Sequence, residues 1–202
     1  MANAIGPRGL VPSRYLDGSA WNGATNMYCI PQADGSIYGP GDAIKSAAGG
    51  DANGVPYMQK AAGTDTVRGV VVSVVLSAPN LPSLQGVIID NTTQAIPAAK
   101  AKDYYVLVCD DPTIIYELQD DGSSALTNLA CNKNASLTVA NPTSPQQNSA
   151  TSLSCASVAT TQGLNLKIMG LLQKPNNAFG VYANWLVRFN QHELGGSNTA
   201  GV

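Results

Sequence analysis

The sequence predicts an all-β protein of two small β-units, barrel-like or sandwich-like, preceded by an extended N-terminal arm. Three observations carry this. Turn-forming dipeptides recur too often to leave room for helices: Asp17-Gly18, Asn22-Gly23, Asp34-Gly35, Gly49-Gly50, Asn53-Gly54 and Asp121-Gly122. Each supplies positive φ or a side-chain-to-backbone hydrogen bond. Short runs between the turns alternate apolar and polar residues, the period of a half-buried strand. Two further runs, 70–76 and 104–109, are apolar without alternation, which predicts strands covered on both faces.

Residues 1–26 read as the arm, because Pro7, Pro12 and several glycines disfavour regular structure while Leu10, Tyr15, Leu16 and Trp21 offer apolar anchors. Such a segment needs a surface to lie on. Residues 27–102 form the first β-unit, with strands at 28–30, 43–45, 57–59 and 70–76. A Pro-rich connection ends it, in which 87–89 reads as a strand and 98–102 as one helical turn. Residues 103–193 form the second unit. There Ile114, Tyr116 and Leu118 are expected to face inward, with Glu117 and Gln119 on the opposite face, and Trp185, Val187 and Phe189 repeat the pattern. The alternation of 164–168 loses phase at Gly170, as at a bulge. A Ser/Thr/Asn-rich loop at 141–162 interrupts this unit, and 194–202 reads as a flexible tail.

Composition narrows the function classes. Only 12% of the 202 residues are charged, about half the ~25% usual for a globular domain, and there is one histidine. General acid–base chemistry, metal ligation and nucleophile activation draw on groups that are scarce and scattered here. Neutral polar surface, by contrast, can be covered by another chain with little desolvation of charge. A structural or binding protein is therefore expected, with no enzymatic activity, no cofactor and no metal. The net charge of −2 and singly scattered Lys and Arg leave nothing to neutralise a row of phosphates. No apolar run approaches the ~20 residues of a membrane span. The first ten residues carry Asn, Pro and Arg where a secretory signal needs an apolar stretch, so the chain is expected to act where it is made.

Individual motifs favour architecture over chemistry. Cys29, Cys109, Cys131 and Cys155 lack metal-ligand spacing; Cys131 and Cys155 are the pair that could bridge, and free thiols are expected in a reducing compartment. Asp110-Asp111-Pro112 and Asp120-Asp121-Gly122 invite a calcium reading, but Asp before Pro or Gly at a strand end is an ordinary turn and no EF-hand loop is present. His192 beside Glu193 lacks the nucleophile elbow of a hydrolase. Tyr104, Tyr105, Tyr116 and Trp185 fall at strand spacing, where aromatics fill cores.

The motifs Gly41-Asp42-Ala43-Ile44, Asp51-Ala52-Asn53-Gly54-Val55-Pro56, Arg68-Gly69-Val70-Val71-Val72 and Tyr105-Val106-Leu107-Val108, with Asp110-Asp111-Pro112, are followed by Gln173-Lys174-Pro175-Asn176-Asn177 and Trp185-Leu186-Val187-Arg188-Phe189. Taken together, the chain resembles virion structural proteins of tailed bacteriophages, in particular head decoration or cement proteins. The resemblance implies a capsid-bound protein, assembled in the host cytoplasm, whose partners are the major capsid protein and other copies on the lattice, with no direct contact to nucleic acid or membrane. It transfers no catalytic residue. Under this reading the arm docks on a neighbouring subunit, with Leu10, Tyr15, Leu16 and Trp21 buried there and Arg8 and Arg14 pairing with shell carboxylates. The alternative is a carbohydrate-binding or adhesin-like β-domain, expected if Trp21, Tyr38 or Tyr57 forms an exposed platform.

Overall fold

The computed structural model describes residues 3–75, 95–142, 148–195 and 201. In chain order its strands are β1 (Val11–Tyr15), β2 (Asn26–Ile30), β3 (Ala43–Gly50), β4 (Pro56–Lys60), β5 (Gly69–Val75), β6 (Tyr104–Cys109), β7 (Ile114–Gln119), β8 (Asn134–Ala135), β9 (Leu137–Thr138), β10 (Ser152–Leu153), β11 (Leu166–Leu171) and β12 (Asn184–Phe189). They build a closed barrel, ordered β2-β4-β3-β5-β6, an open sheet ordered β1-β7-β12-β11-β8, and a β10-β9 pair. The all-β reading holds, as one barrel and one sheet.

Branched side chains fill the barrel: Ile30, Ile44, Val71, Val74, Val106 and Val108 form one buried cluster with Tyr28, Tyr38, Met58 and Ile96. The unpatterned valine run of β5 has a geometric cause. Its register against β6 shifts between Val71 and Ser73, so Val71 and Val74 both point inward while Val70 and Val75 join clusters outside the barrel. A bulge resets which face a strand presents.

The sheet buries Ile114, Tyr116, Leu118, Trp185, Val187 and Phe189 on one face, as the alternation predicts. The expected loss of phase at Gly170 is a register shift between Ile168 and Gly170 against β12. That face packs on the barrel wall, because Ala43, Val67, Val70 and Cys109 belong to the same cluster. Barrel and sheet therefore share one seam.

Four features differ from the sequence reading. Strand β6, expected to open the second unit, closes the barrel between β5 and β2, so the chain leaves the barrel at Asp110-Asp111-Pro112 rather than at 103. The arm is replaced from Val11 to Tyr15 by β1, which pairs with β7 of the chain's own sheet. Its other edge is covered by a tight return, with Tyr15 N–H donating to Ser19 O and Trp21 N–H to Ser13 O. Pro12 is tolerated because the register slips between Pro12 and Arg14. Residues 98–102 make bends instead of a helical turn, since the Ile96–Tyr38 bridge and the buried Lys100 ammonium, bonded to the carbonyls of Asp34 and Ser36, hold the chain open. In the polar span 141–162, Ser149, Thr151, Ser152 and Leu153 are buried. The strand expected at 87–89 lies outside the described residues, and of the expected tail Gly201 is buried and donates to Thr160 O.

Candidate functional site

Before Leu10 the chain forms a strap that runs past the end of β7, where Gly6 N–H donates to Gln119, and meets the barrel side at Gly41. Gly9 and Gly41 make the close approach possible: a Cβ on Gly41 would lie 2.3 Å from the Arg8 carbonyl oxygen, and one on Gly9 would lie 2.5 Å from the Gly41 oxygen. Leu10 N–H donates to Gly41 O at 3.0 Å. Further back, Asn3 bonds both carbonyls and an amide of the 178–181 loop, and Gln119 bridges Ala4 O and Tyr182 O. These bonds set the segment that carries Ile5 beside the loop that carries Phe179 and Val181, a rim on which the three are 68%, 49% and 41% exposed.

The six residues expected to bind a partner separate accordingly. Leu10 is buried in the chain's own seam, which removes it from any docking surface. Tyr15 and Trp21 are half-buried against that core. Arg8, Arg14 and Leu16 are exposed. Sequence reasoning missed Phe179 and Val181, which have the segment of Ile5 as a neighbour only through the bonds of Asn3 and Gln119.

Three polar constellations tie the elements together. At the seam, Tyr28 O–H donates to Asp110 at 2.6 Å and accepts from Arg68 at 2.9 and 3.1 Å. Arg68 also reaches Glu193, whose carboxylate accepts from the Ser46 amide and hydroxyl. His192 lies beside them, 6% exposed, with its ring 6.0 Å from that of Phe189. Leu194 N–H donates to His192 Nδ1 at 3.1 Å, which places the neutral ring's proton on Nε2. Nε2 has no partner among the described residues. Burial lowers this imidazole's pKa against the opposing pull of Asp110.

The second constellation surrounds Asp42, 0% exposed. It accepts from Ser149 Oγ and Gly39 N–H and pairs with Lys60 Nζ at 3.1 Å. Burial raises its pKa, with Lys60 pulling it down. The third holds Asp120, which accepts from the amides of Gly122, Tyr182 and Ala183 and from Trp185 Nε1. The carboxylates that suggested calcium are thus engaged: Asp120 here, Asp110 with Asn26 and Tyr28, Asp111 with Thr113, and Asp121 with Ser123 and Thr138.

Two open clefts flank the seam. One, of about 240 Å³, is lined by Arg8, Pro12, Trp21, Pro40 and Val72. The other, of about 370 Å³, lies between Asn26, Asp110, Pro112 and Leu194. Among the described residues no group of three or more His, Cys, Asp or Glu side chains is placed to hold a metal ion, and no helix is long and apolar enough to cross a membrane. All four cysteines are free thiols. Tyr38 is 0% exposed inside the barrel, so it cannot join Trp21 and Tyr57 in a stacking platform. Comparison with protein-family models, curated protein sequences and solved structures found no match to the chain.

Proposed function

We propose that the protein is a non-enzymatic structural component that works through its outer surfaces, as a decoration or cement protein on the major capsid protein lattice of a bacteriophage head. One observation carries the reading: several of the scarce charged groups are turned inward as ties, while the strap and the 178–181 loop present Ile5, Phe179 and Val181 to solvent on one rim. A buried apolar contact flanked by neutral polar groups suits repeated weak binding, which a symmetric lattice multiplies. The motif resemblance supplies the identity of the lattice. Neither nucleic acid nor membrane takes part in this reading.

The rim replaces the arm as the docking surface, since Leu10 and β1 are already committed to the chain's own core. Co-sedimentation with expanded capsid shells tests the proposal. The wild-type protein is expected to bind at a fixed stoichiometry and to raise shell resistance to heat. The double variant Ile5→Asp, Val181→Asp is expected to fold normally and lose binding. Normal binding by that variant removes the rim from the mechanism, and absence of wild-type binding removes the capsid role.

A further inference from the structure

We propose that Lys60 and Asn141 become joined by an intramolecular isopeptide bond, with Asp42 carrying the proton. The fold brings the three required groups to one point from three separate places: the end of β4, the turn before β3 and the segment after β9. Lys60 Nζ lies 3.2 Å from Asn141 Oδ1, 3.1 Å from Asp42 Oδ2 and 2.9 Å from the Ile37 carbonyl. The Lys60 side chain is 10% exposed and that of Asp42 0%. The Tyr38 ring walls the site, its centroid 5.9 Å from Nζ. Thr151 Oγ1 contacts Asp42 and both backbone groups of Ala140, holding the residue before Asn141 against the carboxyl.

The chemistry balances without any co-reactant. An ammonium is not a nucleophile, so Nζ must first pass a proton to the adjacent Asp42, whose Oδ2 lies 3.1 Å away. Burial raises the Asp42 pKa, which suits its carboxyl to take up that proton. The amine then adds to Cγ of Asn141, and the carbonyl electron pair moves onto Oδ1. When that pair returns, the Cγ–Nδ2 bond breaks. Asp42 gives its proton to departing Nδ2 and takes one from the attacking nitrogen. One C–N bond forms, one breaks, and ammonia leaves by the exposed side of Asn141. Fixed proximity supplies the effective concentration that lets so slow a reaction proceed without an enzyme. The product locks the segment after β9 to the barrel.

Intact-mass measurement of the full chain tests this directly. Wild-type protein is expected to be lighter than its sequence by one ammonia, and trypsin is expected to leave Lys60 uncut inside a branched peptide containing Asn141. Asn141→Ala, a change at an exposed position, and Lys60→Arg are each expected to carry full mass. Asp42→Asn, checked for folding by circular dichroism, is expected to do the same. Wild-type protein at full mass with cleavage after Lys60 overturns the proposal. So does a mass deficit that persists in Asn141→Ala, and a cross-linked Asp42→Asn overturns the role of Asp42.

Discussion

Replacing Gly41 with alanine should unseat the strap. Gly41 has φ +93°, and its new methyl would lie 2.3 Å from the Arg8 carbonyl oxygen and 3.0 Å from Gly9 Cα. Those neighbours are backbone, so no side chain can rotate away. Gly41 itself is held by Val71 O at 2.7 Å, which leaves the strap as the part that moves. The positive φ costs an L-residue about 1–2 kcal/mol, and the lost Leu10 N–H to Gly41 O bond costs about 1 kcal/mol. Leu10, 1% exposed, forfeits about 1.5–3 kcal/mol of burial if it lifts. The lower ends add to about 3.5 kcal/mol, a large share of the ~5–15 kcal/mol that holds a domain together. Gly35 is the control: a Cβ there meets nothing within 4 Å, and its alanine variant should stay within about 0.5 kcal/mol of wild type. Urea denaturation read as the midpoint at constant slope distinguishes the two. Equal midpoints for Gly41→Ala and Gly35→Ala would show that the strap is not seated as described.

Burial holds the His192 imidazole below its ordinary pKa, so the unfolded chain takes up this proton first as pH falls below about 6.5. Stability should decline through that window until the folded imidazole also titrates; urea midpoints at about pH 7.5 and about pH 5.5 should fall further for wild type than for His192→Gln, and equal declines contradict the assignment. Trp185→Phe removes a donor to Asp120, which is 1% exposed, and should cost about 2–3 kcal/mol in the same assay. An unchanged midpoint would show that Asp120 does not depend on the indole. Burial pushes the Cys29 thiol up to about 12 and that of Cys155 to about 11, leaving partly exposed Cys131 as the accessible thiol. A disulfide reagent applied to native protein should therefore label one site quickly, and Cys131→Ser should abolish that phase; a fast phase surviving in the variant assigns it elsewhere.

Strands β7, β11 and β12 of the open sheet were legible because each is specified by its own residues. Trp185, Val187 and Phe189 alternate with Asn184, Leu186 and Arg188, and one period-2 pattern fixes both the element and its buried face. Gly170 announced its bulge in the same local way. What the sequence hid depends on partners far along the chain. Nothing around Gly9 or Gly41 signals that the two glycines meet, and Pro7 and Pro12 look like breakers until β7 is present to pair with β1. Strand β6 has a composition as suitable for the sheet as for the barrel; only its ladders with β2 and β5 decide the matter. The candidate surface was the least legible part. Ile5 lay in the segment singled out for binding, whereas Phe179 and Val181 owe their place beside it to hydrogen bonds that span more than 170 residues.

The strap also changes what a truncation can report. Removing residues 1–26 takes away β1, Leu10 and the hydrogen bonds of Asn3, which together cover one edge of β7 and part of the shared seam. An uncovered edge strand recruits other chains whatever the protein's function. A truncated protein that fails to bind shells would thus reflect damage to the fold as readily as loss of a contact. The rim variants avoid this, because Ile5 and Val181 are exposed and neither belongs to the buried clusters. Their substitution by aspartate changes the surface that a neighbour would meet while leaving the bonds of Asn3 and Gln119 in place. Only a deficit in binding without a deficit in stability assigns the rim to a partner.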